Sequence, residues 1–149
     1  MYKLLILILC LGVLVLGTNV KSENVYDLFA TGNKEEAIKV LRNAIDKDSN
    51  PDAKYILGLL YNDASSINLC KIEDFCIDEN ESNYKKAYEI FLDLYENEDD
   101  PRAAYSIGEY YDDHWVFWPN YKKAFKFYLF AAERGVPEAQ YNVANMYEF

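Results

Sequence analysis

Positive charge is scarce in this 149-residue sequence. Lys and Arg together number 15 against 25 Asp and Glu, which gives a formal net charge of −10 at pH 7. No cluster or stripe of basic residues offsets this excess, so the chain repels phosphate backbones and anionic headgroups. We therefore expect neither a nucleic acid nor an anionic lipid surface as a partner.

The sequence also lacks the motifs on which many enzymes depend. It has one histidine, His114, no glycine-rich phosphate loop and no HExxH, and no serine or cysteine lies in a recognisable nucleophile context. The acidic stretches 79–81 and 96–100 are typical of loops and helix ends rather than of paired catalytic carboxylates. We expect a non-enzymatic protein with no catalytic, metal-binding or cofactor-binding residue. A small secreted hydrolase is the enzymatic alternative, but no residue can be nominated for it.

Long apolar runs are absent except near the amino terminus. Residues 4–17 form an apolar run of 14 residues behind a short positive start, whereas a membrane-spanning helix needs roughly 20. This layout predicts a cleavable signal peptide over residues 1–17, with an uncleaved signal anchor as the alternative. We expect a mature chain of one domain in the secretory pathway, either in the endoplasmic reticulum lumen or secreted.

What the sequence does contain is an internal repeat. The string NYKKA occurs at residues 83–87 and again 37 positions later, at 120–124. A Pro-x-Ala-x-Tyr block follows each string, and an earlier copy that begins at Asn33 has the same order. The asparagine and the proline are 18, 18 and 17 positions apart. The three copies span residues 33–61, 83–111 and 120–147.

Each copy is predicted to form two helices, because apolar residues recur at helical spacing in both halves. The first helix begins at an asparagine that caps free amides, and the second begins at the proline, which a first turn tolerates. A small residue in the second helix is expected to pack on an alanine of the first helix in the same repeat. The small residues of the second helices are Gly58, Gly108 and Ala144. The alanines of the first helices are Ala37, Ala87 and Ala124.

The two ends of the repeat region are predicted to differ. Residues 18–32 should form a cap helix at the amino-terminal end. No polar helix follows Met146 to cover the last apolar face, although repeat arrays usually need such a cap for solubility. We expect either that this sequence is part of a longer array, which we favour, or that a partner covers the face.

The third copy carries a resemblance to a known family. Its segments YKKAFKFY at 121–128, AAERG at 131–135 and PEAQYNVANMY at 137–147 resemble the Sel-1-like repeat, a relative of the tetratricopeptide repeat. The second copy has Asp99-Asp100 where that family usually places a glycine. The resemblance covers residues 25–149. It implies an all-α fold, a right-handed α-solenoid of helix-turn-helix repeats.

The resemblance also implies a role. A secretory member of this family is similar to the lumenal adaptor of endoplasmic-reticulum-associated degradation (ERAD), which recruits misfolded clients and docks on a membrane ubiquitin ligase. The resemblance therefore implies a protein–protein interaction scaffold whose partners are misfolded proteins and a membrane ubiquitin ligase. It implies no catalytic residue. The alternative is a secreted extracellular repeat protein that binds a cell-surface or host partner.

Residues 62–82 form an insert between the first two copies, and it carries Cys70 and Cys76. In an oxidising compartment, cysteines so close in sequence are expected to form a disulfide, with a pair of buried thiols as the alternative. A redox role is not expected, because there is no Cys-x-x-Cys, and the loop lacks further zinc ligands. The sequon at Asn80 predicts a glycan on a surface loop.

The connection between the second and third copies is rich in aromatic residues. Trp115, Phe117 and Trp118 lie within eight residues that precede Asn120. They can fold back over the edge of the array, or they can form a patch that binds a partner, since aromatic residues dominate binding hot spots.

Overall fold

A computed structural model describes residues 22–64, 69–72, 75, 83–113 and 118–148. The described residues form seven α-helices and no strand, so the all-α class predicted from the repeat is confirmed. The helices are α1 Ser22–Ala30, α2 Lys34–Asp48, α3 Pro51–Asn62, α4 Tyr84–Glu98, α5 Pro101–Asp112, α6 Tyr121–Glu133 and α7 Pro137–Tyr147. Over the same stretches, none of the helices is long and apolar enough to cross a membrane. The predicted signal peptide, residues 1–17, lies outside the described residues.

The chain divides into two compact units, the first ending at Asn83 and the second beginning at Tyr84. In the first unit, α1 packs on α2 and α2 packs on α3. The core of this unit is made of apolar side chains that recur at helical spacing, because one face of each helix turns inward. Fully buried members are Ala37, Leu41 and Leu60.

A residue of the insert belongs to the core of the first unit. Phe75 is fully buried, and its ring stacks on Tyr61 with centroids 4.4 Å apart and an interplanar angle of 14°. The guanidinium carbon of Arg42 lies 5.9 Å from the centroid of the same ring. Leu69 is also fully buried. The insert is therefore anchored on the helices by two apolar side chains.

In the second unit, each helix packs on the next, α4 on α5, α5 on α6 and α6 on α7. Phe91, Leu94, Ile107 and Tyr128 are almost completely buried. Where α6 and α7 meet, Ala131 and Ala139 are fully buried and allow the two helices to approach closely. Consecutive packing of this kind buries apolar side chains of each helix, while Tyr121 of α6 and Tyr141 and Tyr147 of α7 stay exposed.

The turn between the two helices of each pair uses a left-handed residue at one fixed place. Two positions before the proline, φ is 47° at Ser49, 51° at Asp99 and 90° at Gly135. Only glycine adopts this conformation without a steric penalty, and aspartate tolerates it better than most residues. Asp99 thus fills the role of the glycine that the second copy lacks, and all three pairs share the turn.

The caps of the helices differ in part from the prediction. Asn120 caps α6, since its Oδ1 accepts a hydrogen bond from the Lys123 amide at 3.0 Å. Asn33 makes no such bond to α2; its side-chain amide instead donates to Thr31 Oγ1 at 3.2 Å. The prediction that Asn33 caps its helix by its side chain is therefore wrong, because this side chain bonds the preceding turn instead of the free amides of α2.

The residues before two of the prolines are buried caps that the sequence analysis did not identify. Asn50 Oδ1 accepts from the Ala53 amide at 3.0 Å. Asp100 Oδ1 accepts from the amide of Arg102 at 2.8 Å and from that of Ala103 at 3.4 Å. The Arg102 guanidinium also binds both carboxylate oxygens of Asp100, at 3.1 and 2.6 Å. These bonds satisfy the free amides at the starts of α3 and α5.

The packing of the small residue in α5 also departs from the prediction. A Cβ added to Gly108 would lie 2.5 Å from both Cδ1 and Cε1 of Tyr128, and no other residue supplies a nearer atom. Gly108 therefore receives a tyrosine of α6, which belongs to the next repeat. The side chain nearest to the missing Cβ thus comes from the next repeat and not from Ala87 of the same repeat, because repeat spacing alone does not say which neighbouring helix comes closest.

Candidate functional site

Large apolar side chains are exposed at four described positions, and all of them lie in the second unit. Trp118 is 92% exposed and Tyr121 is 58% exposed. Tyr141 and Tyr147, both on α7, are 68% and 72% exposed. These residues define two surfaces, the Trp118 patch with Trp118 and Tyr121, and the α7 face with Tyr141, Ala144 and Tyr147.

The Trp118 patch is held in place by the polar residue at its centre. The Asn120 amide donates to the carbonyl of Tyr111 at 2.8 Å, which ties the segment to the end of α5. The Asn120 side chain caps α6. Trp118 and Tyr121 flank this fixed point, so their side chains project from a defined backbone rather than from a free tail. A large ring presented in this way is suited to protein recognition.

Of the three aromatic residues predicted to bind a partner, only Trp118 lies within the described residues. Its exposure shows that this ring does not fold back over the helices, which was the other interpretation of the aromatic loop. Trp115 and Phe117 lie outside the described residues. Tyr121 was not identified from the sequence, because its position at the start of a helix carries no distinctive motif.

The α7 face is the second candidate surface. Ala144 is exposed between Tyr141 and Tyr147. One edge of the face is supported by Phe125 of α6, whose ring meets that of Tyr147 edge to face, with centroids 5.2 Å apart and an interplanar angle of 89°. An uncovered face on the last helix was expected from the sequence, but neither tyrosine was identified as part of it.

The equivalent positions of the earlier copies are covered. Tyr55 and Tyr61 of α3 are 4% and 6% exposed. In α5, Tyr105 and Tyr111 are half-buried and Gly108 is buried. The α7 face therefore exposes, in the third copy, positions that are buried or half-buried in the first two copies.

Three titratable groups have pKa values displaced upward. Burial raises the pKa of Asp63, against the lowering effect of a hydrogen bond from the Asn62 amide. Burial also raises the pKa of Tyr128. The negative charge of Asp112, whose carboxylate accepts a hydrogen bond from the Tyr128 hydroxyl at 3.2 Å, raises this pKa further. The pKa of Tyr88 is raised by burial and by its hydrogen bond with the Tyr111 hydroxyl at 3.2 Å. Both tyrosines are neutral packing groups at physiological pH.

The insert residues proposed for covalent modification are described only in part. Cys70 is disulfide-bonded. Cys76, its expected partner, and Asn80, the expected glycan site, lie outside the described residues. Among the residues that the structure does describe, no group of three His, Cys, Asp or Glu side chains is placed to hold a metal ion.

Comparison with known proteins does not assign the chain to a family. No family model matches the chain, and no match was found among curated proteins or among solved structures.

Proposed function

We propose that this protein is a non-enzymatic scaffold that binds other proteins within the secretory pathway. In this proposal its helix pairs are Sel-1-like repeats arranged as a right-handed α-solenoid. Three repeat copies with one turn geometry, at Ser49, Asp99 and Gly135, and consecutive helix packing within each unit support that architecture. Repeats of this kind create extended surfaces for binding.

The Trp118 patch is the observation that carries the proposal. Trp118 is 92% exposed, and Tyr121, three positions later, is also exposed. Such side chains gain hydrophobic free energy only when another surface covers them. The acidic composition disfavours nucleic acids as partners, so the exposed aromatic residues are expected to bind proteins. By its resemblance, the protein acts as an adaptor in ERAD, with misfolded clients and a membrane ubiquitin ligase as partners. The disulfide at Cys70 agrees with an oxidising compartment.

The test is a capture experiment with the tagged full-length gene product in its native cell. After mild crosslinking, bound proteins are identified by mass spectrometry for the wild type, for Trp118→Ala with Tyr121→Ala, and for Lys122→Ala. Lys122 is exposed next to Tyr121 and serves as the matched control. We expect a ubiquitin ligase and lumenal chaperones with the wild type and the control, and their loss with the aromatic variant.

Two results would overturn parts of this proposal. Accumulation of the protein in the medium without these partners would replace the degradation adaptor by a secreted extracellular scaffold. If the aromatic variant and the wild type captured the same proteins equally well, the Trp118 patch would not be the binding surface.

A further inference from the structure

Phe75 of the insert takes a place that a helix residue takes in the second unit. Its ring stacks on Tyr61 of α3, with centroids 4.4 Å apart and an interplanar angle of 14°. Tyr111 holds the same repeat position in α5, and the ring that stacks on it, at 5.9 Å and 4°, is that of Phe127 in α6. The same repeat position thus receives an aromatic ring twice, once from a helix and once from a connecting segment outside any helix.

The surface under Phe75 is suited to an aromatic side chain. One part of it is the face of Tyr61, and the other is the guanidinium of Arg42, whose central carbon lies 5.9 Å from the centroid of the Phe75 ring. Ring stacking and a cation–π interaction therefore act on the same ring. Phe75 is fully buried, but Arg42 is exposed, so this Arg42–Tyr61 site borders the solvent.

A disulfide lies next to the other anchor of the insert. Leu69 is fully buried, and Cys70, which follows it directly, is disulfide-bonded. Cys76, the expected partner, follows Phe75 in the sequence. A disulfide restricts a released segment more than a docked one, so it favours the state in which the insert stays on the helices.

We propose that the Arg42–Tyr61 site binds an aromatic side chain of another polypeptide, and that Phe75 blocks the site while the Cys70 disulfide is intact. A dithiol opens the block: it gives two electrons and two protons to the disulfide, the two cysteines become thiols, and the dithiol is itself oxidised to a disulfide. The insert then leaves the site more often, because its released state gains conformational freedom. An aromatic residue of the partner competes for the Tyr61 ring.

The occupant seen in the structure indicates the chemistry of the partner. Phe75 reaches the site from outside any helix, so the partner residue belongs to a short non-helical segment. An aliphatic side chain could fill the same volume, but it would lack the stacking on Tyr61 and the attraction of Arg42. Incompletely folded proteins expose apolar segments of this kind. The inference goes beyond the proposed function, because this site lies in the first unit and the Trp118 patch lies in the second.

The probe presents the natural occupant as a separate molecule. It is a fluorescent synthetic peptide of residues 71–79 with Cys76→Ser, which keeps Phe75 and removes the thiol. Its affinity for the full chain is measured by fluorescence anisotropy before and after reduction with dithiothreitol. We expect the reduced chain to bind it at least about tenfold more tightly than the oxidised chain. The same peptide with Phe75→Leu should bind the reduced chain about three- to tenfold more weakly.

Variants of the chain locate the binding. Cys70→Ser should bind the peptide tightly without reductant, and dithiothreitol should then change nothing. In this background Tyr61→Ala should weaken binding at least about tenfold, because the ring under the peptide is lost. Arg42→Ala should weaken it about two- to fivefold. Lys47→Ala removes another exposed cation of α2 and is the matched control, with an affinity within about twofold of its parent.

Circular dichroism checks that each variant is folded. If Tyr61→Ala does not fold, Arg42→Ala and Lys47→Ala still decide the site, since both replace exposed side chains. Equal losses of affinity in these two variants would place the peptide elsewhere and overturn the proposal.

Two further results would also overturn it. Equal affinity of the oxidised and reduced chains, including no binding by either, would show that the disulfide does not control the site. Equal affinity for the phenylalanine and leucine peptides would remove the aromatic specificity. The chain with Trp118→Ala and Tyr121→Ala should bind the peptide as the wild type does, so failure of the capture experiment and failure here are separable.

Discussion

The side chain of Tyr128 occupies the space that any side chain at Gly108 would require. Its ring atoms Cδ1 and Cε1 would both lie 2.5 Å from a Cβ at that position. The Tyr128 hydroxyl donates to Asp112, four residues further along α5. The tyrosine is therefore fixed on α5 at two points, by steric fit against its ring and by a hydrogen bond at its tip.

The steric contact predicts that the effect of Gly108→Ala depends on residue 128. In the wild type this substitution should lower the free energy of unfolding by about 1–3 kcal/mol, because the methyl group overlaps the ring. In a Tyr128→Leu background it should be neutral or stabilising by up to about 1 kcal/mol, since alanine favours a helix over glycine. Urea denaturation of the four proteins measures the coupling. An equal cost in both backgrounds would contradict the close contact.

The shared turn predicts opposite effects at two equivalent positions. Ser49→Gly should raise the free energy of unfolding by about 0.5–1 kcal/mol, because glycine adopts the left-handed conformation without a steric penalty. Gly135→Ala should lower it by about 1 kcal/mol for the same reason. Both are measured by chemical denaturation. If the two changes had the same sign, the conformation at one of these turns would be different.

The buried caps predict a graded series of losses. Asn50→Ala should cost about 1 kcal/mol, as for a typical cap. Asp100→Ala should cost about 2–3 kcal/mol, because it removes two amide bonds and also leaves the half-buried Arg102 without its carboxylate. Asn33→Ala is the control and should cost less than about 0.5 kcal/mol, since its side chain does not cap. Thermal and urea unfolding would rank the three; a cost at Asn33 equal to that at Asn50 would be inconsistent with the caps.

Asp63 predicts a pH-dependent gain in stability on removal of its charge. Its pKa is raised in the folded chain above the ordinary value of 3.8, so its contribution to stability is present at low pH and is lost as the pH rises through the folded-state pKa. It also lies at the carboxyl end of α3, where negative charge is unfavourable. Asp63→Asn should be more stable than the wild type at pH 7, by about 0.3–1 kcal/mol.

The pH dependence of this difference is the decisive measurement. The gap between Asp63→Asn and the wild type should narrow as the pH falls toward the ordinary aspartate range, because the wild-type carboxyl then becomes protonated. Asp27→Asn, at an exposed position of α1, makes the same change in net charge and is the control. A gap of constant size at every pH, or a less stable Asp63→Asn at neutral pH, would argue against a raised pKa.

The repeat allowed the helix pairs to be predicted from sequence, but not all of their contacts. Ala37, Ala87 and Ala124 recur at one position of the helical pattern, and each is fully buried. The close approach of Tyr128 to Gly108 was not predicted, because a small residue indicates that another helix comes close without indicating which one. Phe75 lies in a segment without periodicity, so its burial left no pattern in the sequence.

The candidate site was predictable to a similar degree. Trp118 stood out by composition, and its exposure depends on how the Asn120 cap holds the backbone, which no composition reveals. Tyr141 and Tyr147 occupy the same repeat positions as Tyr55 and Tyr61, which are buried. Identical residue types in one repeat position thus end in opposite environments, because their surroundings differ: Phe75 of the insert stacks on Tyr61.

The burial of Phe75 shortens the lengths of chain that must close as loops within the insert. The connection from 63 to 82 would be one loop of 20 residues, but the buried Leu69 and Phe75 divide it into segments of 6, 5 and 7 residues. The Asn83 amide donates to the Phe75 carbonyl at 3.2 Å, so the residues at the two ends of the last segment are in contact. Closure entropy grows only logarithmically with loop length, about 0.6 kcal/mol for each doubling. Lengthening the segment between Phe75 and Asn83 is therefore expected to cost little free energy of unfolding, as long as these two residues keep their contact.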